Sequence, residues 1–386
     1  MPSTTLRYPH ASGSAARRQA LRHAVSKQAL RDALHVDLSK AGLAGPLRVG
    51  ISVGIVLIVG GLLGHRDLAG LAALGSLVSA FCRPDPYPIR LTRLLTLAAG
   101  ITATIALGAA VGAYSGSVVV EIAVISVIAG FAAYLVSALH IVGPGAVIFV
   151  FAATAATGFA HTPADIGRAT ASTAIGAVIG LAAAMLPWFI ERIGSAFGRA
   201  TPPAPAGPQY ETLWQALTGG ESTITRHLLT KALRIAVSAA LAATIAASIG
   251  LSHPMWAAMG GVAAMQGVTY HHTVSRGIAR LLGNVGGALI AAALLALPLG
   301  YWGSVVGIVI FQIIAEVFST VNYALCSLAV TPMALLLTGL GAGLSPEMAV
   351  DRILDTLIGI AVGIIVGALT VSGADASRLR EQLATR

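Results

Sequence analysis

Two stretches of this chain, one opening at Arg48 and the other at Arg234, carry the same residues at the same spacing. Arg48/Arg234, Ser52/Ser238, Gly64/Gly250, Ala72/Ala258 and Gly75/Gly261 pair at one offset. After a small slip, Arg93-Leu94-Leu95 pairs with Arg280-Leu281-Leu282, and Gly100 with Gly287. Further on, Gly158/Gly341, Pro163/Pro346, Thr173/Thr356, Gly176/Gly359 and Gly180/Gly363 pair again. Chance matches do not keep their spacing, so the pattern predicts a duplicated unit. That constrains the fold strongly: whatever one unit forms, the other must form and pack against it.

The repeated units are almost wholly apolar. Hydrophobic residues make up 56% of the 386 and charged residues 10%; mean hydropathy is +0.83. A soluble core cannot hide that much apolar surface, whereas a bilayer accepts it. The expected fold class is therefore all-α, a polytopic membrane protein of two pseudo-repeats with about six transmembrane helices each. The net charge of +9 then reads as topology rather than as affinity for nucleic acid, and membrane lipid is the expected surrounding. Cys82 and Cys326 lie far apart, with no metal or disulfide spacing, and read as small buried hydrophobes.

Apolar segments are expected at about 47–64, 68–82, 92–112, 117–138, 142–158 and 168–190, then 232–250, 254–268, 279–299, 303–324, 326–341 and 353–372. Some fall short of the ~20 residues a spanning helix needs, the second and eighth most clearly, and these predict tilted or broken helices. The division that follows is a basic amphipathic segment over 1–45, a first bundle over 46–190, a Pro-rich linker and short helix over 191–230, a second bundle over 231–373 and a tail over 374–386. In the first segment, Leu21, Val25, Leu30, Leu34 and Leu38 share a side, as in a helix lying on an anionic leaflet. With both termini cytoplasmic and six crossings per unit, all of the 24 Lys and Arg except Arg66, Arg168 and Arg352 fall inside. Both units then point the same way, and the repeat is parallel. The expected location is the plasma (inner) membrane of a bacterium.

Acids within apolar segments are few, which makes each one informative. Glu316 stands in the middle of IVIFQIIAEVFSTVNYALCS, where a charge costs about 2.5–3.5 kcal/mol. Gln312 precedes it by one turn and shares its helical face. Glu316 reads either as a proton carrier or as an interhelical clamp. The first unit has Ala133 at the matching position. Arg352 and Asp355 are spaced to pair along one helix, as an outer gate, an anion contact or a self-neutralising edge pair. Glu121 reads as an interfacial acid. His271-His272 reads as loop polarity, and His253 with Trp256 as an aromatic belt at the membrane edge. No catalytic constellation, nucleotide-binding motif, metal cluster or cofactor motif is legible.

The second unit resembles the fusaric acid resistance family of membrane proteins, related to aromatic acid exporters. The resemblance rests on Ala232-Leu233-Arg234, His253-Pro254-Met255-Trp256, Ala264-Met265-Gln266-Gly267, Arg280-Leu281-Leu282-Gly283 and Arg352-Ile353-Leu354-Asp355-Thr356-Leu357-Ile358-Gly359. It is weaker over the first unit, where Gly70 replaces the Trp and Cys82-Arg83-Pro84 replaces the Gln-containing end. The resemblance implies two helical bundles and export of a small organic, often aromatic, anion. The residues carrying the family motif are then Arg234, Trp256, Gln266, Arg280, Gly283, Thr356 and Gly359. The transport and proton-coupling candidates are Glu316, Gln312, Asp355 and Arg352. A proton-coupled exporter without a cofactor is the first expectation; a non-transporting scaffold or accessory subunit is the alternative. Assembly into a homo-oligomer is compatible with either.

Overall fold

The computed structural model describes residues 22, 26–196, 222–267, 270–342 and 347–370. The TPPAPAGP linker, the C-terminal tail, and Leu21 and Val25 of the amphipathic segment lie outside the described residues. The described chain is helical, with no strand. A short helix α1 (Lys27–Leu34) precedes a first group: α2 (Ala44–Leu62), α3 (Arg66–Ser76), α4 (Tyr87–Tyr114), α5 (Val118–Ala138), α6 (Val147–Phe159) and α7 (Pro163–Ala196). The second group is α8 (Ser222–Ser248), α9 (Pro254–Met265), α10 (Tyr270–Leu295), α11 (Gly300–Phe318), α12 (Tyr323–Ala342) and α13 (Glu347–Leu369).

Nine of the described helices are long and apolar enough to cross a bilayer. The other three of the two groups, α3, α6 and α9, have 11, 13 and 12 residues. At about 1.5 Å per residue they reach roughly 16–20 Å, against ~30 Å of hydrocarbon. The brevity of α3 and α9 agrees with the expectation of tilted or broken helices at the second and eighth segments, and α6 is short as well. α3 gains a 3₁₀ turn at Leu77–Ala80, and α9 starts at Pro254, whose missing N–H costs nothing at a helix start. A short helix cannot satisfy its end groups in lipid, so it must be enclosed by protein. Every residue of α9 from Met255 to Met265 is buried, as are Leu71–Ser76 of α3.

In the first group α3 packs on α7, α4 on α6 and α7, and α2 on α3. In the second, α9 packs on α13, α10 on α12 and α13, and α8 on α9. Across the groups, α2 packs on α11 and α5 on α8. One hydrophobic core runs through both, from Leu94 and Phe149 to Ile235, Met259 and Ile308. The glycines that recur in the sequence sit at the tightest crossings. A Cβ on Gly176 would lie 1.8 Å from the Ala72 carbonyl, and one on Gly359 2.2 Å from the Ala257 carbonyl. Close packing of small residues is what holds helices together where solvent gives no hydrophobic drive.

α1 departs from a helix lying free on a leaflet. Ser26 Oγ caps it by accepting from the Ala29 N–H at 3.2 Å. Ala29 packs with Tyr270 and Val274 of α10, and Ala33 with Ala279 and Ala324. Asn322 Nδ2 donates to the carbonyls of Ala33 (3.2 Å) and His35 (2.8 Å). Leu30, Leu34 and Leu38 remain exposed.

Candidate functional site

Between the two groups lies a cavity of about 610 Å³. Its polar lining includes Arg83 from the α3–α4 turn, Arg276 and Arg280 of α10, Gln312 and Glu316 of α11, Tyr323 of α12 and Arg352 of α13; Phe151, Met259 and Met333 supply much of the apolar wall. Four arginines thus face one acid. The sequence brings them together because their helices are otherwise apolar, so a charge on a packed helix has only the interior opening to face.

Glu316 is buried, and its carboxylate is paired across the groups with the Arg83 guanidinium. Gln312 Nε2 donates to Glu316 Oε1 at 3.1 Å, the one-turn spacing expected from the sequence. Arg280 Nη1 donates to Tyr323 Oη at 3.2 Å. The Arg276 guanidinium sits over the Tyr323 ring, 4.0 Å from its centroid. Arg352, 4% exposed, stands 5.1 Å above the Trp256 ring. Among the described residues, the buried Nε atoms of Arg83, Arg276, Arg280 and Arg352 have no hydrogen-bond partner. Buried guanidinium groups with donors to spare favour an anion.

Two sequence expectations are corrected here. Asp355 does not close an ion pair with Arg352: it is fully buried, and neither carboxylate oxygen accepts a hydrogen bond. Arg352 turns to the cavity and Trp256 instead. Trp256 is not a lipid-facing anchor. It is 4% exposed and stacks on His253 at 4.3 Å, while His253 Nδ1 lies 3.0 Å from Asp351 Oδ2. Trp256 also lines a second cavity of about 180 Å³, with Asp67, His253 and Phe151. Phe151 borders both cavities.

The remaining motif residues divide by what they touch. Glu316, Gln312, Arg280 and Arg352 meet at the large cavity; Arg234, Asp355, Gly283, Thr356 and Gly359 do not line it. Thr356 Oγ1 accepts from Asn284 Nδ2 at 2.6 Å, and Thr331 Oγ1 donates to Asn284 Oδ1 at 2.7 Å, a buried clamp joining α10, α12 and α13. A Cβ on Gly283 would lie 2.3 Å from the Ala324 carbonyl. The Gln266 amide nitrogen donates to the Pro144 carbonyl (3.2 Å), and its oxygen accepts from the N–H groups of Ala146 (3.1 Å) and Val147 (2.9 Å). It therefore ties the second group to the start of α6 in the first. In the first group Glu121 Oε1 accepts from Thr157 Oγ1 at 3.0 Å. His271 Nε2 lies 3.4 Å from Asp32 Oδ2. Cys82 is fully buried, and burial, with the nearby Asp85 carboxylate, pushes its thiol up to about 12.

Sequence reasoning missed Arg83, Arg276 and Tyr323 as lining residues. Arg83 and Arg276 were counted as topological charges. The available signal was position: Arg83 stands where the second unit has its Gln266 end, at the tip of a short helix too short to carry it to the surface.

Residues 241–366 match the family described as fusaric acid resistance protein-like. Over 145 residues, 38% of this chain, the sequence is 28% identical to an uncharacterized membrane protein, YvaC, of Bacillus subtilis (strain 168). This stretch spans 22% of the length of that relative. No solved structure matches. The matched span contains Glu316 and Arg280 and runs from α8 into α13, so the similarity to that family lies within the second helical group of a polytopic membrane protein.

Proposed function

We propose that the chain is a secondary exporter of small organic, often aromatic, acids, and that the cavity between the two groups is where the anion binds. The observation that carries this reading is the facing of four arginines on one acid in a cavity of about 610 Å³. Guanidinium groups shielded from water, as Arg280 and Arg352 are, attract carboxylate far more strongly than the same charges in water. Tyr323, Phe151 and Met333 give an aromatic body apolar and ring contact. The volume falls within the range of small-molecule sites.

Glu316 is the proton-coupling residue in this reading. An entering carboxylate competes with Glu316 for Arg83, and a proton on Glu316 discharges that competition. Anion and proton occupancy are then linked, and by reciprocity each alters the other's affinity. Trp256, Phe151 and Arg352 form the partition between the large cavity and the smaller one, which we assign as the two ends of one path. The duplication, with both units inserted the same way and both termini cytoplasmic in a bacterial inner membrane, belongs to the same reading. The matching helix pairs in the two groups support it, as does the bias of Lys and Arg.

A packed, closed interface around Glu316 would favour a scaffold, and the cavity weighs against it. The test is efflux of aromatic acids from inside-out or loaded vesicles under an imposed proton gradient. Glu316→Gln is expected to abolish gradient-driven flux while the protein remains folded. Undiminished flux in that variant would remove Glu316 from the coupling step.

A further inference from the structure

The acid of the second group has no counterpart in the first: at the offset linking the two stretches, Glu316 corresponds to Ala133. The helix contacts follow the same correspondence. α11, which carries Glu316, packs on α2; α5, which carries Ala133, packs on α8. At the α2–α11 seam the position is filled by a carboxylate paired with Arg83. At the α5–α8 seam it is open. Ala133, itself buried, lines a cavity of about 400 Å³ together with Ser137, His140, Lys231, Gln266 and Arg276.

Lys231 and Arg276 supply the positive charge of that cavity. Among the described residues no Asp or Glu is in its lining. Lys231 makes no hydrogen bond or ion pair among the described residues. The charge felt most by it is Arg234, one turn along α8 and of the same sign. Arg276 Nε is buried with no hydrogen-bond partner. Lys231 and Arg276 are half-buried, and two like charges converging on one cavity without an acid beside them favour an anion from outside the chain, which gains charge-assisted contacts there. The flanking helices indicate its source. On α5, Val127 and Phe131 are 69% and 60% exposed; on α8, Leu229 and Leu233 are 55% and 65% exposed. Large apolar side chains standing that far out face hydrocarbon. A ligand at this seam therefore meets phosphate-binding groups at one end and an apolar helix surface beside it. Basic pockets between membrane helices fit lipid headgroups on these grounds.

We infer that the headgroup of an acidic phospholipid occupies the α5–α8 cavity, with its phosphate between Lys231 and Arg276 in the place that the Glu316 carboxylate takes at the other seam. The site is distinct from the central cavity, but Arg276 borders both, so the lipid sets part of the field the transported anion meets. The binding claim does not depend on what the central cavity carries.

The test is native mass spectrometry of the full chain released from neutral detergent, loaded with phosphatidylglycerol or with phosphatidylcholine. The wild type is expected to retain phosphatidylglycerol and not phosphatidylcholine. Lys231→Gln should weaken retention about fivefold, the value of one basic contact at a membrane surface. Ala133→Glu should abolish it by supplying the internal carboxylate. If Ala133→Glu does not fold, Lys231→Gln alone decides. Equal retention of the two lipids, or unchanged retention of phosphatidylglycerol in both variants, overturns the proposal. So does displacement of the lipid by inorganic phosphate at equal concentration, which assigns the cavity to a free anion instead.

Discussion

Replacing Arg83 breaks the ion pair between the first group and the buried acid of the second. The two side chains are 23% and 8% exposed. Removing one partner of a buried pair costs about 3–5 kcal/mol, because the other is left without compensation; the partial exposure of Arg83 puts its replacement near 3 kcal/mol, the lower end of that range. Arg83→Gln strands Glu316 with only its bond to Gln312. Glu316→Gln strands a cation that still faces the cavity and its solvent, at about 1–2 kcal/mol. The double variant removes both charges and should be about as stable as Glu316→Gln alone. The expected coupling is therefore about 3 kcal/mol, the whole cost of Arg83→Gln, since residues in direct contact are not additive. The assay is reversible unfolding in mixed micelles across the four proteins of the cycle. Coupling below about 0.5 kcal/mol, the additivity expected of independent sites, would refute the direct pairing of Arg83 with Glu316 across the two groups.

Other consequences are independent of that pair. Gly359→Ala should lower the thermal midpoint clearly and reduce membrane yield, because its Cβ meets the Ala257 carbonyl at 2.2 Å; Gly167→Ala, with nothing within 4 Å, should leave the midpoint unchanged or raise it. Trp256→Ala should join the two cavities and produce anion leak without an imposed gradient, measured as dye-coupled flux in liposomes; a tight variant contradicts the partition. In a Cys326→Ser background, Cys82 should resist maleimide near pH 8 in the folded protein and react at once in SDS. Burial pushes its folded thiol up to about 12 against ~8.5 when unfolded, so the folded state keeps the proton. Its contribution to stability is present below pH ~8.5 and lost as pH rises towards 12. Rapid labelling of the folded form at neutral pH would contradict its burial.

The residues that were legible in the sequence are those whose cost is local. Glu316 announces itself because a carboxylate in an apolar helix has to be accommodated wherever the helix goes, and Gln312 follows from helical periodicity. The short α3 and α9 were visible as apolar runs too brief to span. The recurring Gly176 and Gly359 were visible as a pattern, although only the crossings explain them. What stayed hidden depends on which helix meets which. Arg83 and Glu316 are far apart in sequence and belong to different groups, so no spacing rule joins them. The pairing expected of Arg352 and Asp355 followed helical spacing, but Arg352 takes the Trp256 face. Trp256 looked like a membrane-edge residue because it follows a turn; the shortness of α9 brings it inside. The difference between α6, 13 residues, and α12, 20 residues, was hidden too, since both segments are apolar throughout.

The central claim is that the arginine-lined cavity binds and passes a small organic anion. Counterflow of radiolabelled aromatic acids into liposomes holding the purified chain tests it most directly, with Arg280→Gln alongside. The wild type should show a transient accumulation above equilibrium for at least one acid of the panel, and Arg280→Gln should reduce it at least tenfold, the ~1.4 kcal/mol or more expected of a charge-assisted bond to carboxylate. No accumulation for any acid, or accumulation unaffected by Arg280→Gln, would contradict the account.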